Sequence, residues 1–281
     1  MKKYIITACS LLLTAYAANA ATVAFYDFNG TGTAIVGDTI YDTASTHNGA
    51  VAGASLVYGS DLTYGAGSIV SSYLTFAGPD GTTANRVVIP GSADFLFTTS
   101  QAYTIETIFR TTQTGTTNLG VMVSKGADVS NPDSQWWLRH QGNGQLRNDM
   151  EGTTGAGVED VATSTGTPLY NDGQWHSMAF VFDGTLASKR LDLYVDGVLK
   201  ASDTIIGTSG TVGGTDLDPV IFGEFASLVG NRSFAGDLAA VRFSNTALTV
   251  PEFLVIPEPS VSLLALVGLG LAALLRRKTI S

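Results

Sequence analysis

Carboxylates are the residues most able to do chemistry in this sequence, yet their spacing offers no catalytic pair. Retaining glycoside hydrolysis needs two carboxylates about 5 to 5.5 Å apart, which a strand supplies at positions i and i+2 or i+4 on one face. Glu106 is the one acidic residue in a clear strand pattern with a polar face, whereas Glu151, Glu159 and Asp160 fall in a Gly- and Thr-rich stretch. We therefore predict no paired acid and base, and no catalytic residue.

Metal and thiol chemistry also have few candidates. The three histidines are His47, His140 and His176, and a zinc site would need them to converge over long distances. His176 follows Trp175 in a predicted core strand, which favours a packed histidine over a catalytic one. The single cysteine, Cys9, lies in an N-terminal apolar run, so the remaining chain has neither a thiol nor a disulfide.

Two adjacent tryptophans indicate a binding surface. Alternate residues of the run from Gln135 to His140 face opposite sides of a strand, so Trp136 and Trp137 point in opposite directions. We predict that Trp136 is buried. Trp137, beside Gln135 and Arg139, is a predicted aromatic platform with hydrogen-bond donors, which suits stacking on a sugar ring. The alternative is that Trp137 only covers the sheet edge or packs under a loop.

Two charged residues of another strand extend this surface. Glu106 and Arg110 lie on the predicted polar face of their strand, where we expect them to join Trp137. The alternative is that they pair with each other or with neighbours. The candidate carbohydrate-binding residues are thus Trp137, Gln135, Arg139, Glu106 and Arg110.

Short strands must position these residues. The alternating pattern of Tyr103–Arg110 predicts a half-buried strand, and the two apolar faces of Trp175–Phe182 predict a central strand covered on both sides. Asp196 and Gly197 form the pair that a type I′ hairpin turn favours, between two further strands. Because no long helical period appears, the middle of the chain is predicted to be an all-β antiparallel sandwich.

The N-terminus and the charge balance decide the compartment and exclude one class of partner. Lys2, Lys3, an apolar run and a small-residue pattern ending at Ala20 are typical of a signal peptide, so we expect signal peptidase to cleave after Ala20. Without residues 1–20 and 257–281, the chain keeps 23 acidic and 10 basic residues. That excess repels phosphate backbones, so nucleic acid is not an expected partner.

The C-terminus carries a specific pattern. Pro257, Glu258 and Pro259 precede a hydrophobic run, which predicts one helix, and then a basic cluster of Arg276, Arg277 and Lys278. The pattern resembles the bacterial PEP-CTERM sorting signal. The resemblance implies processing by an exosortase in a Gram-negative bacterium, from an inner-membrane precursor to the cell surface or extracellular matrix. The alternative is a simple tail anchor.

The middle of the chain resembles a laminin-G-like, or concanavalin A-like, jelly-roll domain. The segments that carry the resemblance, in order, are Val23 to Gly32, Ala102 to Thr112, Val123 to Gly126, Trp136 to His140, Asn171 to Gly184, Leu191 to Leu199 and Phe234 to Thr249. The resemblance implies a two-sheet sandwich that binds carbohydrate or protein, often with a structural calcium ion near the first and last strands. That points to Asp27 and Asp237, although Ala239 and Ala240 stand where the family often has acidic residues.

The sequence therefore predicts a signal peptide at 1–20, a jelly-roll domain at 21–256 and a sorting signal with a transmembrane helix and basic tail at 257–281. The function we expect is an exported carbohydrate-binding module whose ligand is a glycan or exopolysaccharide. Two alternatives stay open. One is a polysaccharide hydrolase or lyase of the same fold, and the other is a structural biofilm or surface protein without a specific ligand.

Overall fold

The described part of the chain consists of strands joined by loops and two short 3₁₀ turns. The computed structural model describes residues 22–62, 71–78, 84–115, 119–126, 136–151, 158–162, 169–204, 211–212, 217–225 and 232–254. The predicted signal peptide and the predicted C-terminal helix both lie outside these ranges. Within them, no helix is long and apolar enough to cross a membrane.

The strands are short, as the turn pattern predicts. In chain order they begin with β1 (Thr22–Tyr26), β2 (Thr33–Ala34), β3 (Thr39–Ile40), β4 (Gly49–Ala52), β5 (Leu56–Gly59), β6 (Tyr73–Ala77), β7 (Arg86–Ile89), β8 (Phe97–Thr98), β9 (Ala102–Arg110) and β10 (Leu119–Lys125). They continue with β11 (Trp136–Gln141), β12 (Leu146–Glu151), β13 (Val158–Ala162), β14 (Trp175–Asp183), β15 (Arg190–Val195), β16 (Val198–Thr204), β17 (Thr211–Val212), β18 (Val220–Phe222) and β19 (Ala235–Ser244). The 3₁₀ turns are Ala93–Phe95 and Val250–Glu252.

Two antiparallel sheets form a sandwich, which confirms the predicted all-β jelly-roll class. The first sheet has the order β16-β15-β14-β9-β19-β6-β5-β2, and β1 also pairs with β19. The second sheet has the order β13-β12-β11-β10-β18-β7-β4-β3, and β17 pairs with β8 separately. Several neighbours, such as β9 with β19 and β10 with β18, are far apart in sequence, so these pairings bring distant residues side by side.

The hydrophobic core fills the space between the sheets. Phe243 of the first sheet contacts Trp136 and Phe222 of the second, with ring centroids 5.8 and 6.4 Å apart. Such aromatic contacts dominate core energetics because each ring buries a large apolar area. Strand β14 lies between β15 and β9 and is buried on both faces, as its two apolar faces predict. At the turn from β15 to β16, Asp196 and Gly197 have φ of 51° and 72°, which confirms the predicted turn.

The outer face of the first sheet is partly covered by the C-terminal strap, Thr246–Leu254. The hydroxyl of Thr104 donates to the carbonyl of Thr246 at 2.7 Å and accepts the Leu248 amide at 3.0 Å. Farther along, the ring of Phe253 meets Tyr194 of β15 edge to face, with centroids 5.0 Å apart. The strap therefore buries part of the face of β9 whose polar residues predict exposure to solvent.

Candidate functional site

The two adjacent tryptophans face opposite sides of the second sheet, as predicted. Trp136 is fully buried in the central core. Trp137 is half-buried on the outer face, opposite Ser124 of β10 and Asp149 of β12. Gln135, the third member of the proposed platform, lies outside the described residues.

Trp137 is not an open platform, because other side chains already pack around its ring. Phe225 lies with its ring centroid 4.2 Å from that of Trp137. The guanidinium carbons of Arg139 and Arg232 each stand 5.3 Å from the Trp137 centroid. These cation–π contacts occupy the π-face that a sugar would need. The expected stacking surface is thus corrected to a packed aromatic and arginine cluster.

Arg139 is also not the free donor that the sequence suggests. Its side chain is buried, and its Nε donates to Asp149 Oδ2 at 2.7 Å. Arg147 reaches the other oxygen of the same carboxylate at 3.0 Å. Asp149 therefore binds two arginines at once. The sequence does not show this pairing, because it depends on the register of β11 against β12.

Glu106 does not join Trp137, because it lies on the other sheet and beneath the C-terminal strap. Its Oε2 accepts from Arg242 Nε at 2.6 Å, and its Oε1 accepts the Leu254 amide at 2.7 Å. Arg242 also donates to the carbonyl of Glu252 at 2.5 Å. Burial raises the pKa of Glu106, and the neighbouring Arg242 opposes that effect. Glu106 holds the strap and is corrected from a binding residue to a structural one.

Arg110 occupies the uncovered end of the same outer face. The strand register aligns Trp175, Arg110 and Asp237 in one row across β14, β9 and β19. The guanidinium carbon lies 4.6 Å from the Trp175 ring and 5.0 Å from the Tyr73 ring. Its Nε donates to Asp237 Oδ2 at 2.8 Å. Arg110 is consequently held in one orientation by two rings and a carboxylate.

A second carboxylate stands beside Arg110. Asp61 Oδ1 lies 3.5 Å from Arg110 Nη2, and the Asp61 side chain is 69% exposed. The hydroxyl of Tyr73 donates to Asp61. This hydrogen bond, together with the Arg110 charge, holds the pKa of Asp61 below its ordinary value. We call Asp61, Tyr73, Arg110, Trp175 and Asp237 the Arg110 cluster.

The Arg110 cluster adjoins an open cleft of about 380 Å³. The cleft is bordered by Arg110, Thr111, Thr112, Gln113, Gly173, Ala235, Gly236 and Asp237. Ligand pockets have volumes of about 300 to 1,000 Å³, so the cleft has room for a small ligand. Gly236 permits the close approach of β19 to β9, since an added Cβ would stand 2.4 Å from the Arg110 carbonyl oxygen.

The two residues expected to bind calcium have different partners. Asp237 is bound by Arg110 and by the Thr75 hydroxyl, which donates at 2.7 Å. A guanidinium in contact with the carboxylate repels a cation, so Asp237 does not fit a calcium site. Asp27 instead accepts from the Asn29 side chain at 2.6 Å and borders another cleft. Calcium at Asp27 stays a prediction.

The three histidines stay apart, each with its own surroundings. His47 lies between Asp42 and Asp94, and His176 lies between Asp172 and Asp196. His140 is fully buried in the second sheet. In the described ranges, no three His, Cys, Asp or Glu side chains are grouped so that they could hold a metal ion.

Sequence reasoning missed three members of the Arg110 cluster, namely Asp61, Tyr73 and Trp175. Trp175 is predicted only as part of a strand covered on both sides, and no pattern in the sequence singles out Tyr73 or Asp61. Only the order of β6, β19, β9 and β14 in the first sheet brings them to Arg110.

The comparison with protein families agrees with this architecture. A model of the concanavalin A-like lectin/glucanases superfamily matches residues 80–253. The chain belongs to this superfamily. A second model, the PEP-CTERM protein-sorting motif, matches residues 255–278 of this concanavalin A-like protein, which confirms the predicted sorting signal and indicates export and sorting by an exosortase. No curated protein matches the chain.

Two solved toxin binding domains share the fold at low sequence identity, and a third structure is less similar. The binding domain of Paraclostridial Mosquitocidal Protein 1 is 18% identical, with a TM-score of 0.55 over 82% of this chain and 50% of that one. The binding domain of botulinum neurotoxin serotype C1 is 11% identical, with a TM-score of 0.55 over 83% of this chain and 51% of that one. The CBM40 of the Ruminococcus gnavus IT-sialidase is 16% identical, with a TM-score of 0.46 over 57% of this chain and 84% of that one. This concanavalin A-like chain thus spans about half the length of the toxin domains.

Proposed function

We propose that the domain binds carbohydrate and that the cleft at the Arg110 cluster is its binding site. The observation that carries the proposal is the fixed position of Arg110 at the mouth of an open cleft, between Tyr73 and Trp175 and beside two carboxylates. Sugar hydroxyls both donate and accept hydrogen bonds, so they match a site that combines guanidinium donors with carboxylate acceptors. Because Arg110 is already oriented, binding a ligand costs little side-chain entropy.

The superfamily contains both lectins and glucanases, so its name does not decide between binding and hydrolysis. Asp61 and Asp237 are the two carboxylates that the hydrolase alternative would use at this cleft, since both contact Nη2 of Arg110. A glycosidase, however, needs one carboxylic acid with a raised pKa to protonate the leaving group. The pKa of Asp61 is instead lowered by Tyr73 and Arg110. This favours binding over hydrolysis.

The proposal extends to localisation. A signal peptide removed by signal peptidase and a sorting motif read by an exosortase together lead through the inner membrane to the cell surface or matrix. There the domain would meet a secreted polysaccharide. A glycan-binding module is useful in that place because it retains the protein in the matrix.

The test is retention of the detergent-solubilised chain on immobilised neutral and acidic polysaccharides, with release of reducing ends measured in parallel. We expect Arg110→Gln to weaken retention at least tenfold, since a hydrogen bond to a charged group is worth about 1.5 to 3 kcal/mol. Arg190→Gln removes the same charge from β15 and is the matched control. Unchanged retention of the Arg110 variant contradicts the proposed site. If the wild type releases reducing ends and Asp61→Asn or Asp237→Asn does not, the hydrolase alternative is correct.

A further inference from the structure

The outer face of the second sheet carries a cluster that the proposed function does not use. It consists of Trp137, Phe225, Arg139, Arg147, Asp149 and Arg232, and we call it the Trp137 cluster. It lies on the opposite sheet from the Arg110 cleft. Any ligand of this cluster would therefore occupy a separate site.

The Trp137 cluster contains hydrogen-bond donors without acceptors. In the part of the chain that the structure describes, neither Nε1 of Trp137 nor Nη1 of Arg232 has a hydrogen-bond partner, although both atoms are shielded from solvent. A buried donor without an acceptor destabilises the folded state, because it loses its hydrogen bonds to water and gains none. The two donors lie in the same aromatic and arginine cluster, and an oxygen acceptor would satisfy both.

The charges of the cluster point the same way. Asp149 binds both Arg139 and Arg147, so its carboxylate is already used. Arg232 packs on the same Trp137 ring, next to β10, where its backbone carbonyl accepts the Val121 amide at 3.0 Å. Asp160, the register partner of Asp149, is on β13 and thus farther from β10. Burial and the nearby Arg139 lower the pKa of Arg232, and the charge of Asp149 opposes them without reversing the shift.

We infer that the Trp137 cluster is a second ligand site, which takes a carboxylate group of an acidic polysaccharide through Arg232 and the indole N–H of Trp137. A carboxylate supplies both the acceptor oxygens that the two donors lack and the negative charge that Arg232 lacks. Arginine matches a carboxylate in a planar, two-point geometry, and Phe225 and Trp137 hold that geometry by packing. The chain as a whole has a net charge of −9, which repels an acidic glycan. A site for such a glycan must therefore rely on a local cluster of positive charge.

The experiment measures binding of the detergent-solubilised full chain to alginate, polygalacturonate and hyaluronate by biolayer interferometry. Each polysaccharide is compared with its carboxyl-reduced form, which keeps the backbone and removes the charge. We expect at least one acidic form to bind at least tenfold more tightly than its reduced form. We also expect this difference to shrink as NaCl is raised, because salt screens the charges.

Variants assign the binding to the Trp137 cluster. Arg232→Gln is expected to lower affinity for the acidic form at least tenfold, while Arg190→Gln leaves it unchanged. Trp137→Phe keeps the ring and removes the N–H donor, so it is expected to weaken binding without unfolding the domain, which thermal unfolding checks. Equal affinity for acidic and reduced forms, or an Arg232→Gln variant that is folded and binds normally, would overturn the inference. Binding of the reduced forms, tested with Arg110→Gln, reports on the Arg110 cleft independently.

Discussion

Arg110 and Asp237 are joined by a hydrogen-bonded ion pair, with Arg110 Nε 2.8 Å from Asp237 Oδ2, although 127 residues separate them in sequence. The side chains are only 23% and 14% exposed, so solvent screens the pair weakly. The pair fixes the guanidinium at the cleft and places a positive charge against Asp237, which disfavours a cation there. It thereby connects two residues for which the sequence predicts unrelated roles.

Removing this ion pair should destabilise the domain. Asp237→Asn is expected to lower the free energy of unfolding by about 1 to 3 kcal/mol, because Arg110 loses a charged hydrogen-bond acceptor. Urea denaturation measures the change, and Asp203→Asn on exposed β16 is the control, with an expected change within about 0.5 kcal/mol. A double-mutant cycle with Arg110→Gln should give a coupling of similar size. Additive effects of the two variants would show that the pair contributes nothing.

The two tryptophans should differ in their contribution to stability. Trp136→Ala is expected to cost about 3 to 5 kcal/mol, because it empties part of the core between the sheets. Trp137→Ala should cost about 1 to 2 kcal/mol, since Trp137 is half-buried and packs on Phe225. Thermal and urea unfolding measure both. Equal losses for the two variants would mean that Trp137 is a core residue and that the outer face has no separate cluster.

The ion pair between Glu106 and Arg242 should hold the C-terminal strap in place. Glu106→Gln leaves the Arg242 charge without its buried partner, which is expected to cost about 3 kcal/mol. Proteolysis within Thr246–Leu254 should become faster as the strap loosens. Asp203→Asn on exposed β16, away from the strap, is the control and should leave proteolysis of the strap unchanged. Unchanged proteolysis of the Glu106→Gln variant would show that the ion pair with Arg242 does not hold the strap.

His140 should make the domain sensitive to acid. Its complete burial lowers its pKa from the ordinary 6.5 to about 4. The unfolded chain therefore binds a proton below pH 6.5, whereas the folded protein resists protonation until about pH 4. Stability attributable to His140 is constant above pH 6.5 and falls as the pH drops from 6.5 to 4, by about 3 kcal/mol in total.

His140→Leu tests this dependence, since leucine has a similar volume and no titration. The difference in the free energy of unfolding between variant and wild type should shift in favour of the variant across that interval. The contribution of His176 to stability should change with pH in the opposite direction. Its pKa is raised, because the hydrogen bonds and charges of Asp196 and Asp172 outweigh burial. The stability that His176 contributes is therefore present below pH 6.5 and is lost as the pH rises through its raised pKa. Parallel pH profiles of wild type and His140→Leu would contradict the assignment to His140.

The sorting motif should depend on its two prolines. Changing both Pro257 and Pro259 to Ala is expected to leave the precursor in the inner membrane, because proline keeps this stretch extended and accessible to a protease. Cell fractionation and the mass of the product in a host with an exosortase measure the effect. Pro251→Ala, within the C-terminal strap, is the control and should be processed normally. Normal trimming of the double variant would mean that the tail is only an anchor.

The sequence by itself determined the fold class, the sorting signal and the direction of individual side chains along single strands. Period-two alternation is a local property, so the opposite directions of Trp136 and Trp137 and the two buried faces of β14 follow from a few neighbouring residues. The turn at Asp196 and Gly197 is local as well, since positive φ is a requirement of the turn itself.

Only the tertiary structure decided which of these residues meet. Glu106 and Arg110 share one face of β9, yet the C-terminal strap covers the first and leaves the second at a cleft. Arg110 finds Asp237, Tyr73 and Trp175 through pairings between strands that are distant in sequence, and Trp137 lies on the other sheet altogether. Strand order and register arise from packing the whole core. No local pattern of side chains encodes them, so the composition of a site on the sheet surface cannot be derived from any one strand.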